Sequence, residues 1–445
     1  MKLLRNGQNV HVMSILGQQN VALTDYRVMD YCTIKKIDGK KLIYNNFTKL
    51  FADITDEFFL LKNERIKYSK ELDELIKYWF LVPVDNNDRQ LCDQVLNLFS
   101  LATKKSAKNN YIIFTTTDCN ARCFYCFEHG VKRENMSEQT AMDVCRYIKE
   151  NSKGEPVSIK WFGGEPLCNT KVIDIISKYL SENNIEFSSK MTSNGYLFDS
   201  NTVLRAKNNW NLKHVQITLD GTEKVYNRIK NYVYKDCPNP FNKVIGNISN
   251  LIENQIHVLI RLNVSDENRS DIYSLIDFLY NKFSSSEFLK IYASNLFDLD
   301  HKLDDKERDR LIREIFKLNA YLADLGYLNY GLERWDNCKR SCMARNDSSV
   351  VITQTGQLGK CEHYSEGDKL YGSMYSSETD QAAVDYWNKC ERIDECNRCI
   401  LYPNCIGITN CPCTYGKCRE LDRMIRINDL DNSIIATYKK INSGT

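Results

Sequence analysis

The segment "TTTDCNARCFYCFEHG", residues 115–130, sets Cys119, Cys123 and Cys126 at the spacing C-x3-C-x2-C. It starts where an apolar, strand-like run, "YIIFT" (111–115), ends. Four ligands close a tetrahedral zinc site, and three leave a position open. His129 is the nearby side chain that could serve as a fourth zinc ligand. A four-iron cubane held by three cysteines leaves one iron free, and that iron can chelate an amine and a carboxylate.

Outward from this segment, strand-like and helix-like runs alternate. The strands read as "YIIFT" (111–115), "VSIKW" (157–161), "FSSKMT" (187–192), "HVQITL" (214–219), "HVLIRLNV" (257–264) and "LKIYA" (289–293). Amphipathic stretches separate them, such as "SEQTAMDVCRYIKEN" (137–151) with Ser137 as its N-cap. Six βα units in series predict a parallel sheet curled as a partial barrel, a (β/α)6 TIM-like fold. Such sheets bind ligands at the C-terminal ends of their strands, and the cysteine triplet falls just past the first one.

The 445 residues exceed one ordinary core, so the chain reads as several domains. Sixty basic and 58 acidic residues nearly cancel, which argues against bulk affinity for nucleic acid or an anionic membrane. No apolar run approaches the ~18 residues of a membrane span. The first residues lack a signal-peptide pattern, so the expected location is cytoplasmic. Eighteen cysteines in a reducing compartment read as metal ligands rather than disulfides. Ten of them lie between Cys338 and Cys418. Cys32, Cys92, Cys145, Cys168 and Cys237 read as core thiols.

With aromatic Tyr125 before the last cysteine, the triplet resembles the signature of radical S-adenosylmethionine enzymes. The resemblance implies a four-iron cluster on Cys119, Cys123 and Cys126, with the open iron holding the methionyl group of S-adenosylmethionine. "WFGGEP" (161–166) resembles the family's Gly-Gly-Glu-Pro motif. It implies that Gly163 and Gly164 let the backbone approach the cofactor and that Glu165 accepts from its ammonium. "TSNGYL" (192–197) resembles the Thr-Asn-Gly turn and brings in Ser193 and Asn194. "ITLDGTEKVYNRIK" (217–230) resembles a Ser-Leu-Asp-Gly segment, with Thr218 for Ser and Tyr226-Asn227 for His-Asp. Arg228 or Lys230 would there face the cofactor carboxylate, and Asn263 in "IRLNVSDEN" (260–268) its ribose or adenine.

The tail resembles a SPASM extension, which carries two auxiliary four-iron clusters. By position the first takes Cys338, Cys342, Cys361 and Cys411, and the second Cys396, Cys399, Cys405 and Cys418. Cys411 is preferred to Cys413 because Pro412 follows it, as in the family. A tail of zinc sites is the alternative.

Before residue 106, "YCTIKKIDGKKLIYNNFT" (31–48) reads as two strands about an Asp38-Gly39 turn. "KELDELIKYWFLVPV" (70–84) reads as a helix leading into a strand. The expected organisation is a winged-helix-like α+β peptide-recognition domain (1–105), a radical SAM partial barrel (106–328) and an iron–sulfur-stapled SPASM domain (329–445). The resemblance implies a maturase that takes hydrogen from a precursor peptide through a 5′-deoxyadenosyl radical and installs a thioether or carbon–carbon crosslink. It would use S-adenosylmethionine, three four-iron clusters and an electron donor such as flavodoxin or ferredoxin, and its N-terminal domain would hold the peptide's leader. The alternatives are an anaerobic sulfatase-maturing, formylglycine-forming enzyme and a zinc-stapled binding protein without catalysis. The sequence singles out no catalytic base.

Overall fold

The computed structural model describes residues 2–4, 25–56, 58, 65–102, 107–234, 236–284, 286–296, 303–328, 332, 342–364, 366–367, 369–402, 404–405, 407–409 and 417–443. Near the N-terminus, strands β1 (Lys2–Leu4), β3 (Cys32–Ile37), β4 (Lys40–Asn45) and β5 (Leu50–Asp53) form an antiparallel sheet in the order β1-β5-β4-β3. Asp38 and Gly39 turn the β3–β4 hairpin, both at positive φ (50° and 82°), as a two-residue turn of this kind requires. Strand β2 (Tyr26–Val28) pairs with β6 (Leu81–Pro83), and helices Asp73–Lys77 and Asp88–Ala102 complete the region.

The six strands read from the sequence all form: β7 (Asn110–Thr116), β8 (Val157–Gly163), β9 (Phe187–Ser193), β10 (Leu212–Leu219), β11 (His257–Val264) and β12 (Leu289–Asn295). Neighbours pair in parallel and in chain order, each separated by helix. This is the partial TIM-like α/β core that the alternation predicts. Residues of one strand parity, such as Ile159, Trp161, Ile217 and Ile260, pack against helix residues Ile148, Ile173, Ile248 and Ile276 in a single core. Each such aliphatic side chain contributes about 1.5–3 kcal/mol on full burial. The opposite parity faces the concave lumen. Ser137 caps helix Glu138–Ser152, accepting from the Thr140 amide at 3.0 Å.

The tail does not stand apart. Strand β13 (Ser349–Ile352) pairs in parallel with β7, and β14 (Gln357–Gly359) and β15 (Leu370–Ser373) continue the sheet antiparallel. The barrel and the tail therefore share one nine-stranded sheet. The last helix, Glu420–Ser443, lays Ile434 and Tyr438 on Leu42, Tyr44 and Phe51 of the N-terminal sheet. At its start Arg419 pairs with Asp309 on helix Asp305–Asp324. A second contact joins Tyr31, Phe47 and Trp79 to Tyr402, beside Cys396 and Cys399. The N-terminal region thus packs on the tail. Among the described residues no helix is long and apolar enough to cross a membrane.

Candidate active site at the ends of the parallel strands

The cysteine loop leaves β7 and is fixed from its first residues. Thr116 Oγ1 accepts from the Asp118 amide at 2.9 Å, and Asp118 Oδ1 from the Cys119 amide at 2.8 Å. Two tight turns follow, closed by the Cys126 amide on Cys123 O (3.2 Å) and the His129 amide on Cys126 O (3.0 Å). Cys119, Cys123 and Cys126 are all half-buried. Burial raises all three thiols above their ordinary range, so thiolate forms there only against a compensating metal charge. Among the described residues, no three His, Cys, Asp or Glu side chains converge on one metal-ion position. A cubane does not require that, because each thiolate binds its own iron.

Gly163 and Gly164 are demanded by the same loop. A Cβ on Gly163 would stand 2.0 Å from Thr116 O, and one on Gly164 2.3 Å from Asp118 O. Gly163 also holds φ at +128°, which L side chains rarely adopt. The glycines let the end of β8 pass directly against the root of the cysteine loop. There the Glu165 amide donates to Asp118 O at 2.8 Å.

Glu165 is completely buried. Its Oε1 accepts from Ser193 Oγ (2.9 Å) and the Leu167 amide (3.2 Å), and its Oε2 from the Asn194 amide (2.8 Å). A carboxylate has about four acceptor positions, so these three donors leave room for one more. Burial pushes its pKa up to about 7, against the pull of the three hydrogen bonds. A buried carboxylate with a free acceptor position fits an ammonium ligand. Asn194 also bridges towards the loop, its Nδ2 lying 2.7 Å from Asn120 Oδ1. The buried Asn120 Nδ2 has no partner among the described residues.

A second buried group closes the other side. Tyr125 Oη donates to Asp220 Oδ1 at 2.6 Å, and Asn263 Nδ2 reaches both of them at 3.0 Å. Lys230 Nζ meets Asp220 Oδ2 (2.9 Å), Tyr125 Oη (3.0 Å) and Thr218 Oγ1 (2.7 Å). Burial is the largest single influence and works against the Lys230 ammonium, yet Asp220 together with Tyr125, Cys123 and Tyr226 outweighs it and raises the pKa well above the usual lysine range. Of the two basic residues considered from the sequence, only Lys230 joins this group. Arg228 lies at the surface with its side chain 64% exposed, 3.9 Å from Glu267.

The structure therefore gathers Tyr125, Glu165, Ser193, Asn194, Thr218, Lys230 and Asn263 around the cysteine loop, with Arg228 outside. The sequence does not single out Asp220, the hub of the second group, although an acid directly after a strand, on the lumen parity of Thr218, is the available signal. Asn120, and Tyr232, whose hydroxyl lies 3.4 Å from Asn194 O, carried no such signal.

In the tail, Cys342 and Cys361 share a small core with Trp387, while Cys338 and Cys411, with the alternative Cys413, lie outside the described residues. Cys396, Cys399, Cys405 and Cys418 lie within electrostatic reach of one another. Cys390, unassigned from the sequence, approaches the same loop: a Cβ on Gly407 would stand 2.9 Å from its Sγ. Cys92 and Cys145 are buried, as read, and Cys32, Cys168 and Cys237 half-buried.

Residues 113–279 match the family described as the Radical SAM superfamily. The chain is 23% identical over 296 residues to a GTP 3′,8-cyclase of Clostridium perfringens, covering 61% of this chain and 86% of that protein. It is 23% identical over 330 residues to a cysteine-type anaerobic sulfatase-maturating enzyme of Clostridium novyi, covering 65% and 84%. Among solved structures, native anSMEcpe with bound AdoMet and Cp18Cys peptide superposes with a TM-score of 0.54 at 16% identity, covering 76% of this chain and all of that one. Streptococcus suis SuiB bound to precursor peptide SuiA gives 0.51 at 14% identity, covering 86% and 95%.

Proposed function

From the radical S-adenosylmethionine domain that this enzyme carries at residues 113–279, we infer that it is a peptide maturase. Such a domain takes S-adenosylmethionine and a four-iron cluster. Cys119, Cys123 and Cys126 would hold the cluster, and Glu165 the cofactor's ammonium. Bound there, the pair supplies a 5′-deoxyadenosyl radical able to take an unactivated hydrogen. The protein's own share is to seal and orient the site. Asp220, Lys230 and Asn263 fix Tyr125 on the cysteine loop, and Glu165 with Ser193 and Asn194 ties that loop to the next strand ends. Two further clusters in the tail, on the cysteine sets read from the sequence, would accept the electron that a crosslinking oxidation releases.

The observation that carries a peptide substrate is the N-terminal sheet. Strand β3 ends the order β1-β5-β4-β3, and its hairpin presents Lys36 to solvent. An edge of this kind can take an extended leader as one more strand, with backbone hydrogen bonds giving affinity and side-chain pockets specificity. Solved relatives of the same fold include enzymes crystallised with peptides, among them SuiB with its precursor.

A second reading is formylglycine formation, favoured by the likeness to the Clostridium novyi enzyme. One experiment separates the two. The reconstituted enzyme is incubated with S-adenosylmethionine, a strong reductant and a panel of synthetic cysteine-containing peptides. A crosslink removes two hydrogens from the peptide and leaves no aldehyde. Formylglycine yields an aldehyde that a hydrazide probe captures. Peptides left unchanged while S-adenosylmethionine is cleaved would count against both.

A further inference from the structure

The six barrel strands carry Lys160, Lys190, Lys213, Arg261 and Lys290, and not one aspartate or glutamate. The chain as a whole is balanced, with 60 basic and 58 acidic residues, so this one-sided charge is local, shared with strands β3 and β4 of the N-terminal sheet. Register places much of it in the lumen. Ile159 and Trp161 on β8, and Ile260 on β11, belong to the helix-facing core, so Lys160 and Arg261 point the opposite way. Lys160 stands directly beside Lys190 in the β8–β9 ladder, and Arg261 beside Tyr292 in the β11–β12 ladder.

Below Glu165 and Asp220 at the strand ends, the carboxylate that meets these cations comes from the tail. Glu362, next to Cys361, holds Lys160 Nζ at 2.8 and 2.7 Å through both its oxygens. Arg261 Nη2 donates to Asn295 O at 2.7 Å. The Lys190 side chain makes no hydrogen bond or ion pair among the described residues and, though partly enclosed by the wall, keeps contact with solvent. Adjacent like charges repel, and partial enclosure with Lys160 beside it holds the Lys190 ammonium below its usual pKa, although Glu362 pulls the other way. Cations in excess along a concave wall attract an anion.

We infer that the lumen receives a carboxylate of the substrate, carried on an acidic side chain next to the residue that is modified, with Lys190 as its selecting partner, Lys160 and His214 beside it in register, and Arg261 farther along the wall, level with Thr218. This rests on the peptide reading above. Glu362 competes for Lys160 from the tail, so it sets how strongly the lumen draws the substrate in.

The test uses the full-length reconstituted enzyme with S-adenosylmethionine bound. Calorimetric titration compares the blocked peptide Ac-Gly-Glu-Cys-Glu-Gly-NH2 with its glutamine counterpart. The acidic peptide should bind more tightly by about tenfold, the usual worth of a charge-assisted hydrogen bond. Its affinity should fall with added salt. Lys190→Gln should erase the difference, Lys190→Arg should keep it, and Glu362→Gln should tighten the acidic peptide. Iron content and circular dichroism confirm that each variant is folded. Equal binding of the two peptides, a Lys190→Gln variant that still discriminates, or no binding of the acidic peptide overturns the inference alone. Lys190-dependent binding of GTP in place of the acidic peptide would overturn the peptide reading with it.

Discussion

Lys230 Nζ lies 2.9 Å from Asp220 Oδ2, with the two side chains 2% and 0% exposed. The ammonium donates to Tyr125 and Thr218 and is ion-paired with Asp220, whose Oδ2 has no hydrogen-bond partner among the described residues. Lys230 is thereby committed to holding Tyr125 in the cysteine loop. Lys230→Met should leave Asp220 charged and buried without its partner, which costs about 3–5 kcal/mol. Adding Asp220→Asn should recover part of that loss. Thermal unfolding of the three proteins measures it, and a single variant as stable as the parent would contradict the clamp.

Glu165→Gln should weaken S-adenosylmethionine binding by about 1.5–3 kcal/mol, the range of a hydrogen bond to a charged group. The carboxylate pKa stands at about 7 because of burial, so the ionised form that an ammonium needs is lost as pH falls through that value. Affinity should therefore rise with pH from 6 to 8 and then level off. For stability the sign is opposite. The folded protein holds this proton where the unfolded chain has released it, so between the ordinary glutamate range and about pH 7 rising pH costs stability, and above that the cost is constant. Equilibrium binding across pH, compared with Glu165→Gln, is the measurement. A parent profile as flat as the variant's would remove Glu165 from the cofactor.

Much of this molecule is written in local pattern. The six strands follow from apolar runs of the right length, and "HVLIRLNV" gave its strand, His257–Val264, to the residue. Ser137 announced its helix, and Asp38-Gly39 its hairpin. What the sequence left open depends on packing between distant segments. The choice between Arg228 and Lys230 turns on which way a short helix faces, and its buried side carries Tyr226, Ile229 and Lys230. Gly163 and Gly164 read as cofactor approach, and that they also clear the backbone of Thr116 and Asp118 has no local sign. The meeting of Lys160 with Glu362, more than two hundred residues apart, has no local signature at all.

Metal content tests the cysteine assignments. Three four-iron clusters amount to about 12 iron atoms per chain. Replacing Cys119, Cys123 and Cys126 with Ala should remove about a third of the iron. Cys399→Ala should remove another share and abolish peptide product, with uncoupled cofactor cleavage retained. Cys411→Ala and Cys413→Ala, measured side by side, identify the ligand between them. Stoichiometric zinc in place of iron would sink the assignment for the whole chain.

The last prediction concerns the N-terminal sheet. Removing residues 1–100 is a natural test of leader binding, yet the structure makes it a poor one. The region covers Ile434 and Tyr438 of the final helix, and its Tyr31 ring packs 5.3 Å from that of Tyr402, beside Cys396 and Cys399. Truncation should therefore cost iron and stability in the tail along with any leader site. Lys35 is compromised too, since it pairs with Asp431 at 2.5 Å, and a reversed charge would strain that contact. Lys36 sits on the same edge strand and is exposed, and it acts on Asp56 only through space, beside the direct Lys41 ion pair. Lys36→Glu should leave iron content and unfolding unchanged while weakening binding of the labelled precursor by about 1 kcal/mol, the worth of one exposed charge contact, or roughly fivefold. The loss should shrink in high salt. Fluorescence titration of precursor against the parent and the variant decides it, and equal affinities at low salt would take the docking site away from this end of β3.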